Sequence, residues 1–212
     1  MIRSIIFNRE NSISSMKKLK LETGLKRITQ KVAKLKQKKK VVIVGIAGGS
    51  GSGKGYIAKK LGWKILHADD YYFGKGLNPT HDYDSPDSLE FGLIRVHLQN
   101  LQKGLTIAKP VYDFKKQKRS GWEKFKSSKV IIIEGLFVLR QPIRRLLDVA
   151  VFVDAPMEVR LRRRLTRDIK EGRSGGVAKS KKMFLEQAEP NYKKYISITK
   201  RGAIVIDNGE DL

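Results

Sequence analysis

Val41-Val42-Ile43-Val44-Gly45-Ile46-Ala47-Gly48-Gly49-Ser50-Gly51-Ser52-Gly53-Lys54-Gly55 is the stretch that decides the fold. Its first seven residues are a continuous apolar run, as in a strand buried on both faces. The next eight fit the phosphate-cradling pattern G-x-x-x-x-G-K-[ST] at every fixed position except the last, where Gly55 replaces a hydroxyl residue. Glycines let the backbone curl into a nest of N–H groups around a polyphosphate, and Lys54 reaches the β and γ oxygens. The following helix, expected over about Lys54–Leu61, adds its N-terminal dipole. Gly48, Gly49, Ser50, Gly51, Ser52, Gly53, Lys54, Gly55 and Tyr56 are therefore the candidate nucleotide-binding residues.

Outward from this loop, strand and helix patterns alternate, which implies α/β architecture: a P-loop NTPase with three α/β/α layers, a mostly parallel sheet and a helical lid. Strands are expected at about Lys64–Ala68, Val130–Ile133, Val149–Val153 and Ala203–Ile206. Ser85-Pro86 reads as the start of a helix running to about Gln102, with Gly104 as its stop. Residues 105–128 read as short strands and loops. A long basic helix follows Pro156, with Met157, Leu161, Leu165 and Ile169 as its packed stripe. Gly172 to Gly176 is a flexible break, and a last helix is expected at about Lys181–Tyr195.

In open parallel sheets ligands bind beyond the carboxyl ends of the strands. Three expected strand ends carry the phosphate loop, Asp69 and Glu134. Phosphoryl transfer needs held phosphates, a Mg²⁺ ion and a group that deprotonates the acceptor hydroxyl. Asp69 suits the base, close enough to the metal to count as a candidate ligand, and Glu134 suits the Mg²⁺ water shell. Arg160, Arg164 and Arg167 share one face of the long helix, with Arg163 beside them and Arg173 in the glycine break. Arginines aimed at a transferring phosphate stabilise its charge, and a glycine hinge lets them close over it.

Six stretches together resemble the uridine kinase branch of the phosphoribulokinase/uridine kinase family. They are Gly45 through Lys54, Asp69-Asp70-Tyr71-Tyr72, Tyr83-Asp84-Ser85-Pro86-Asp87, Pro110-Val111-Tyr112-Asp113-Phe114, Ile133-Glu134-Gly135, and Arg163-Arg164 through Arg167-Asp168. They stand in family order and cover residues 41 to about 208. The resemblance implies transfer of a phosphoryl group from ATP or GTP, with Mg²⁺, to a nucleoside 5′-hydroxyl, uridine or cytidine first. It implies Asp69, Lys54, Arg164 and Arg167 as the catalytic set. Tyr72, Asp84, Tyr112, Gln117, Arg164 and Arg173 are implied at the substrate, with Asp84 on the ribose hydroxyls and Tyr112 on the base. Departures from the pattern are Gly55-Tyr56 in place of two hydroxyl residues, Gln117 in place of a base-reading histidine, a shorter first helix and a shorter lid. They leave open a kinase of another riboside or small alcohol, such as nicotinamide riboside, and a nucleotide-binding module without catalysis. The family often forms homo-oligomers.

Composition sets the outer bounds. A chain of 212 residues with 40% hydrophobic content supports one folded domain with a core. No apolar run is long enough for a membrane span, and Met1 to Phe7 is too short for a signal peptide. No cysteine is present, which excludes disulfides, thiolate nucleophiles and cysteine-based zinc sites, and fits the cytoplasm. Residues 1–40 read as a basic tail, holding 13 Lys/Arg against two Glu, and residues 41–212 as the kinase-like domain. Residues 1–20 read as mobile, and Met16 opens a cleaner basic segment. Leu21, Leu25, Ile28, Val32 and Leu35 fall at helical spacing. That helix either binds RNA or an anionic surface through residues 17–40, or packs on its own domain or a neighbouring subunit. The net charge of +24 favours polyanions, although for residues 41–212 a solvated lysine-rich surface is the simpler account.

Overall fold

The computed structural model describes residues 17–74, 76–78, 82–172 and 175–209, so the readings made on residues 1–16 and on Arg173 lie outside it. Five parallel strands form the central sheet: β1 (Val42–Gly48), β2 (Lys64–His67), β5 (Val130–Glu134), β6 (Val149–Asp154) and β7 (Ile204–Asp207), in the order β2-β5-β1-β6-β7. Helices cover both faces, as the unbroken apolar runs of β1 and β5 demand. Period-two alternation sorts the side chains. Ile43, Ile131, Ile133, Phe152 and Val205 face a layer built on α3 (Phe91–Gln102). Val42, Val44, Ile46, Ile132, Val151, Val153 and Ile206 face α1 (Leu21–Lys36) and α2 (Lys54–Leu61).

The amphipathic helix α1 buries Gly24, Ile28 and Val32 on this second layer, so its apolar face is occupied by its own domain. Its glycine is required by a close approach: a Cβ at residue 24 would lie 2.6 Å from Ile206 Cγ1. Gly24→Val is accordingly expected to cost about 1–3 kcal/mol through overpacking. The urea midpoint measures it, and an unchanged midpoint would mean that α1 can slide outward freely.

Four readings are corrected. The helix expected from Ser85 begins only at Phe91, because Ser88 O and Glu90 N–H pair with Phe73 and Tyr71 and hold Leu89 extended; Pro86–Ser88 is a separate 3₁₀ turn. Residues 105–128 are one antiparallel hairpin, β3 (Ile107–Asp113) with β4 (Lys118–Phe125). The last helix starts early, at α5 (Val177–Met183), and continues to Lys200 through two wide π turns. Pro190, which has no N–H to donate, lies between those turns.

The largest correction concerns α4 (Met157–Lys170). Its stripe of Met157, Leu161, Leu165 and Ile169 faces outward, and Ile169 is 61% exposed. The buried face is Arg160, Arg164 and Asp168. Carboxylates from other elements make this possible. Arg160 donates to Glu189 (2.7 Å) and stacks on the Tyr192 ring (4.0 Å), while Arg164 donates to Asp84 (3.1 Å).

Candidate active site

The phosphate loop leaves β1 and enters α2 through Gly53, whose φ of +93° is left-handed. Gly51 is also left-handed, and a Cβ there would meet Arg160 O at 2.1 Å. α4 thus buttresses the loop from behind, which is where Arg160 acts; it is not among the residues lining the cavity. Lys54 Nζ donates to Gly49 O at 3.1 Å. Burial pulls Lys54 below its ordinary pKa, against the opposing charges of Glu134 and Asp69. Gly55 occupies the second position of α2, and a Cβ built on it meets nothing within 4 Å. The Tyr56 ring turns away from the loop. It packs on the layer beneath α1 and α2, with Lys60 Nζ 5.3 Å from its centroid.

β2, β5 and β1 are adjacent, so their carboxyl ends bring Asp69, Glu134 and the loop together. Glu134 Oε1 bonds His67 Nδ1 at 2.7 Å. Burial raises the Glu134 carboxyl, but His67, Lys54 and Arg167 more than offset it and hold it below the ordinary value. The same bond raises His67, against burial. Both partners set the sign of the pH dependence. Glu134's contribution is present above its ordinary 4.5 and is lost as pH falls through the lowered value; His67's is full below its ordinary 6.5 and is lost as pH rises through the raised value. The bond therefore stabilises most between these limits. Thermal unfolding of wild type and His67→Ala is expected to show the widest Tm gap between the ordinary values of 4.5 and 6.5, narrowing as pH rises through the raised His67 value. A gap independent of pH would reduce His67 to a packing role.

A cavity of about 230 Å³ opens in front of Lys54 and Asp69; Glu134 is not among the residues that line it. Ser50, Lys54, Asp69, Tyr72, Asp84, Tyr112, Gln117, Arg164 and Arg167, all singled out in the sequence, line it together. Aromatic edges form its apolar wall: Tyr72 and Tyr83 are 5.4 Å apart, Tyr112 and Phe114 5.1 Å, and Tyr112 donates to the Tyr83 hydroxyl at 3.1 Å. Asp84 is buried, and burial raises its carboxyl against the pull of Arg164. Asp168 gathers the arginines. It accepts from Arg167 (2.8 and 3.1 Å) and from the Ser180 hydroxyl of α5 (2.6 Å), and lies 3.5 Å from Arg164 Nε. Arg167 is raised on balance: burial lowers it, and Asp168 outweighs burial.

Sequence reasoning passed over Tyr83, Phe114, Leu136, Asp168, Lys179 and Met183 as site residues, and these also line the cavity. Tyr83 and Phe114 stood inside quoted motifs, a usable signal. Lys179 and Met183 carried none, because the first turns of α5 have no apolar period. Among the described residues no group of three or more His, Asp or Glu side chains gathers as a metal cage. Asp69 and Glu134, two carboxylates within electrostatic reach of Lys54, suit Mg²⁺, which takes one or two carboxylates, water and substrate phosphates rather than a full protein cage. No helix among the described residues is long and apolar enough to cross a membrane.

Residues 63–210 match the phosphoribulokinase/uridine kinase family model, a span that begins after the phosphate loop and so adds to it. The chain is 37% identical over 179 residues to a uridine kinase of Brevibacillus brevis, covering 78% of this chain and 83% of that one. It is 35% identical over 188 residues to a uridine kinase of Ligilactobacillus salivarius, covering 81% and 88%. Among solved structures, a Silicibacter sp. TM1040 protein described as a candidate fructose transport system kinase superposes with a TM-score of 0.70 at 16% identity, covering 86% of this chain and 98% of that one. A possible uridine kinase from Bacillus stearothermophilus gives 0.54 at 20% identity, covering 85% and 100%. At those identities the structures speak for the P-loop kinase fold alone. The sequence relatives and the family match go further: the chain belongs to the phosphoribulokinase/uridine kinase family.

Proposed function

We propose that this protein is a phosphotransferase that moves the γ-phosphoryl group of ATP or GTP to the 5′-hydroxyl of a pyrimidine nucleoside, uridine or cytidine. One observation carries the reading: the phosphate-loop lysine, an acid at the end of β2 and a buried acid–arginine pair share a single aromatic-walled cavity. The uridine kinase relatives support the choice of acceptor. In this reading the backbone N–H groups of the loop and Lys54 hold the triphosphate. Asp84 accepts from the ribose hydroxyls, a role for which its two oxygens suffice. Tyr112 and Phe114 pack on the base, and the Gln117 amide offers it one donor and one acceptor face. Asp69 takes the proton of the 5′-hydroxyl as the oxygen attacks phosphorus. Arg164 and Arg167 meet the charge that builds on the transferring group. Asp69 and Glu134 are the residues that would hold Mg²⁺, which would neutralise charge on the triphosphate.

The test is product analysis by mass after incubation of purified protein with Mg-ATP and a panel of uridine, cytidine, adenosine, guanosine and nicotinamide riboside. A pyrimidine 5′-monophosphate is the expected product. Formation of another monophosphate alone would replace the acceptor and keep the mechanism. Gly55 favours a second reading, a nucleotide-binding module without turnover. ATP binding with no product from any acceptor would select it.

A further inference from the structure

Parallel strands place every strand start at one pole of the sheet, opposite the phosphate loop. That pole is lined with lysines. Lys39 and Lys40 precede β1, Lys64 opens β2, Lys126 and Lys129 precede β5, and Lys103 ends α3; all six are exposed. Their closeness is fixed by hydrogen bonds. Lys40 Nζ donates to Lys103 O (3.0 Å), Lys129 Nζ to Lys39 O (2.9 Å), and Lys64 Nζ to Lys126 O (2.7 Å). The acid in the group, Asp148, is turned inward, where it pairs with Lys39 and accepts from Ile43 N–H. Because β2, β5 and β1 are neighbours, with Lys64 opposite Ile131 and Val42 opposite Val130, Lys64, Lys129 and Lys39 form a slanting row, each two residues further from the phosphate-loop end than the last.

We propose that this row binds the phosphate backbone of a single-stranded nucleic acid. A row of ammonium groups on a rigid sheet edge suits a linear polyanion. An anionic membrane instead rewards charge spread over a plane with apolar anchors beside it. Lys64 and Lys129 each spend one N–H on a carbonyl and keep two for phosphate oxygens, while Lys39 gives one to the Asp148 carboxylate. The pole and the cavity lie at opposite ends of β1, so both can be occupied at once.

The experiment measures anisotropy of a labelled 20-nucleotide oligoadenylate with full-length protein across salt concentrations. A purine strand avoids the pyrimidine site. The informative variant is Lys64→Gln/Lys126→Gln/Lys129→Gln. Glutamine at residues 64 and 129 keeps an N–H for the carbonyl each lysine serves, and Lys126 gives the fold its backbone carbonyl, so the variant removes charge and keeps the pole's architecture. Each phosphate contact on a single strand adds about 0.7 to the slope of log K against log salt, so the slope is expected to fall by about 2. A control, Lys26→Gln/Lys31→Gln/Lys170→Gln, removes equal charge elsewhere and is expected to keep the slope. Equal losses in both variants would assign binding to net charge and overturn the proposal. So would an unchanged slope in the pole variant, or binding to phosphatidylserine vesicles but not to the oligonucleotide.

Discussion

Asp69→Asn is expected to lower kcat by about 10²- to 10⁴-fold while the dissociation constants for nucleoside and for ATP without Mg²⁺ stay close to wild type. Asn keeps the shape of the side chain and loses the ability to take a proton. Asp69 lines the cavity beside Lys54, on a 3₁₀ turn (Ala68–Tyr71) anchored by the buried Ala68 and Tyr71. Tyr71 is held in turn by His97, whose Nδ1 lies 2.8 Å from its hydroxyl. The carboxylate therefore sits on a rigid support, and the substitution reads its chemistry and not its placement. Single-turnover phosphoryl transfer, with binding measured separately by calorimetry, separates the two. A loss below tenfold would transfer the base role to another group. A loss of ATP affinity equal to the loss of rate would make Asp69 part of the nucleotide site instead.

Gly55→Thr is expected to lower the Mg²⁺ concentration for half-maximal ATP binding and turnover by about ten- to a hundredfold. A hydroxyl facing a charged partner contributes about 1.5–3 kcal/mol, and about 1.4 kcal/mol is a factor of ten. The space is available: a Cβ at residue 55 has no neighbour within 4 Å, and the residue is already helical. The change also removes a glycine from the first turn of a helix, so the fold is expected to gain at most about a few tenths of a kcal/mol and not to lose stability. Magnesium titrations followed by ATP binding and, separately, by product formation measure it. Unchanged titrations would mean that Asp69 and Glu134 with water already satisfy the ion, and that Gly55 imposes no handicap.

The parts of this molecule that were legible in the sequence are those whose cause is local. The run Val41–Ala47 is apolar because β1 is covered on both faces, and the loop after it is glycine-rich because Gly51 and Gly53 adopt left-handed backbone and Gly51 carries Arg160 O at its α-carbon. Asp69 and Glu134 could be placed from strand ends alone. The orientation of α4 could not. Its apolar period pointed Leu161 and Leu165 inward, and the structure turns Arg160 and Arg164 in. The decisive partners, Asp84 and Glu189, lie 80 and 29 residues away along the chain and are invisible to a periodicity argument. The start of α3 was misplaced for a similar reason. Tyr71 and Phe73 claim the backbone of residues 88–90 from outside the window in which Ser85-Pro86 looks like a cap.

The seam at the edge of the sheet bears on how the chain acquires its shape during synthesis. Leu19 N–H donates to Val205 O and Asp207 N–H to Leu19 O, each at 2.9 Å, and Gly24 rests on Ile206. A segment that precedes the sheet in the chain therefore completes its docking only against the last strand of that sheet to be made. As the polypeptide leaves the ribosome, α1 must wait with Ile28 and Val32 lacking their full cover until β7 emerges, and contacts of such separation close slowly. Vectorial synthesis thus makes β7 the clasp of the molecule. A chain stopped before Ile204 keeps the phosphate loop and every acid of the cavity, and leaves α1 with half its seat missing.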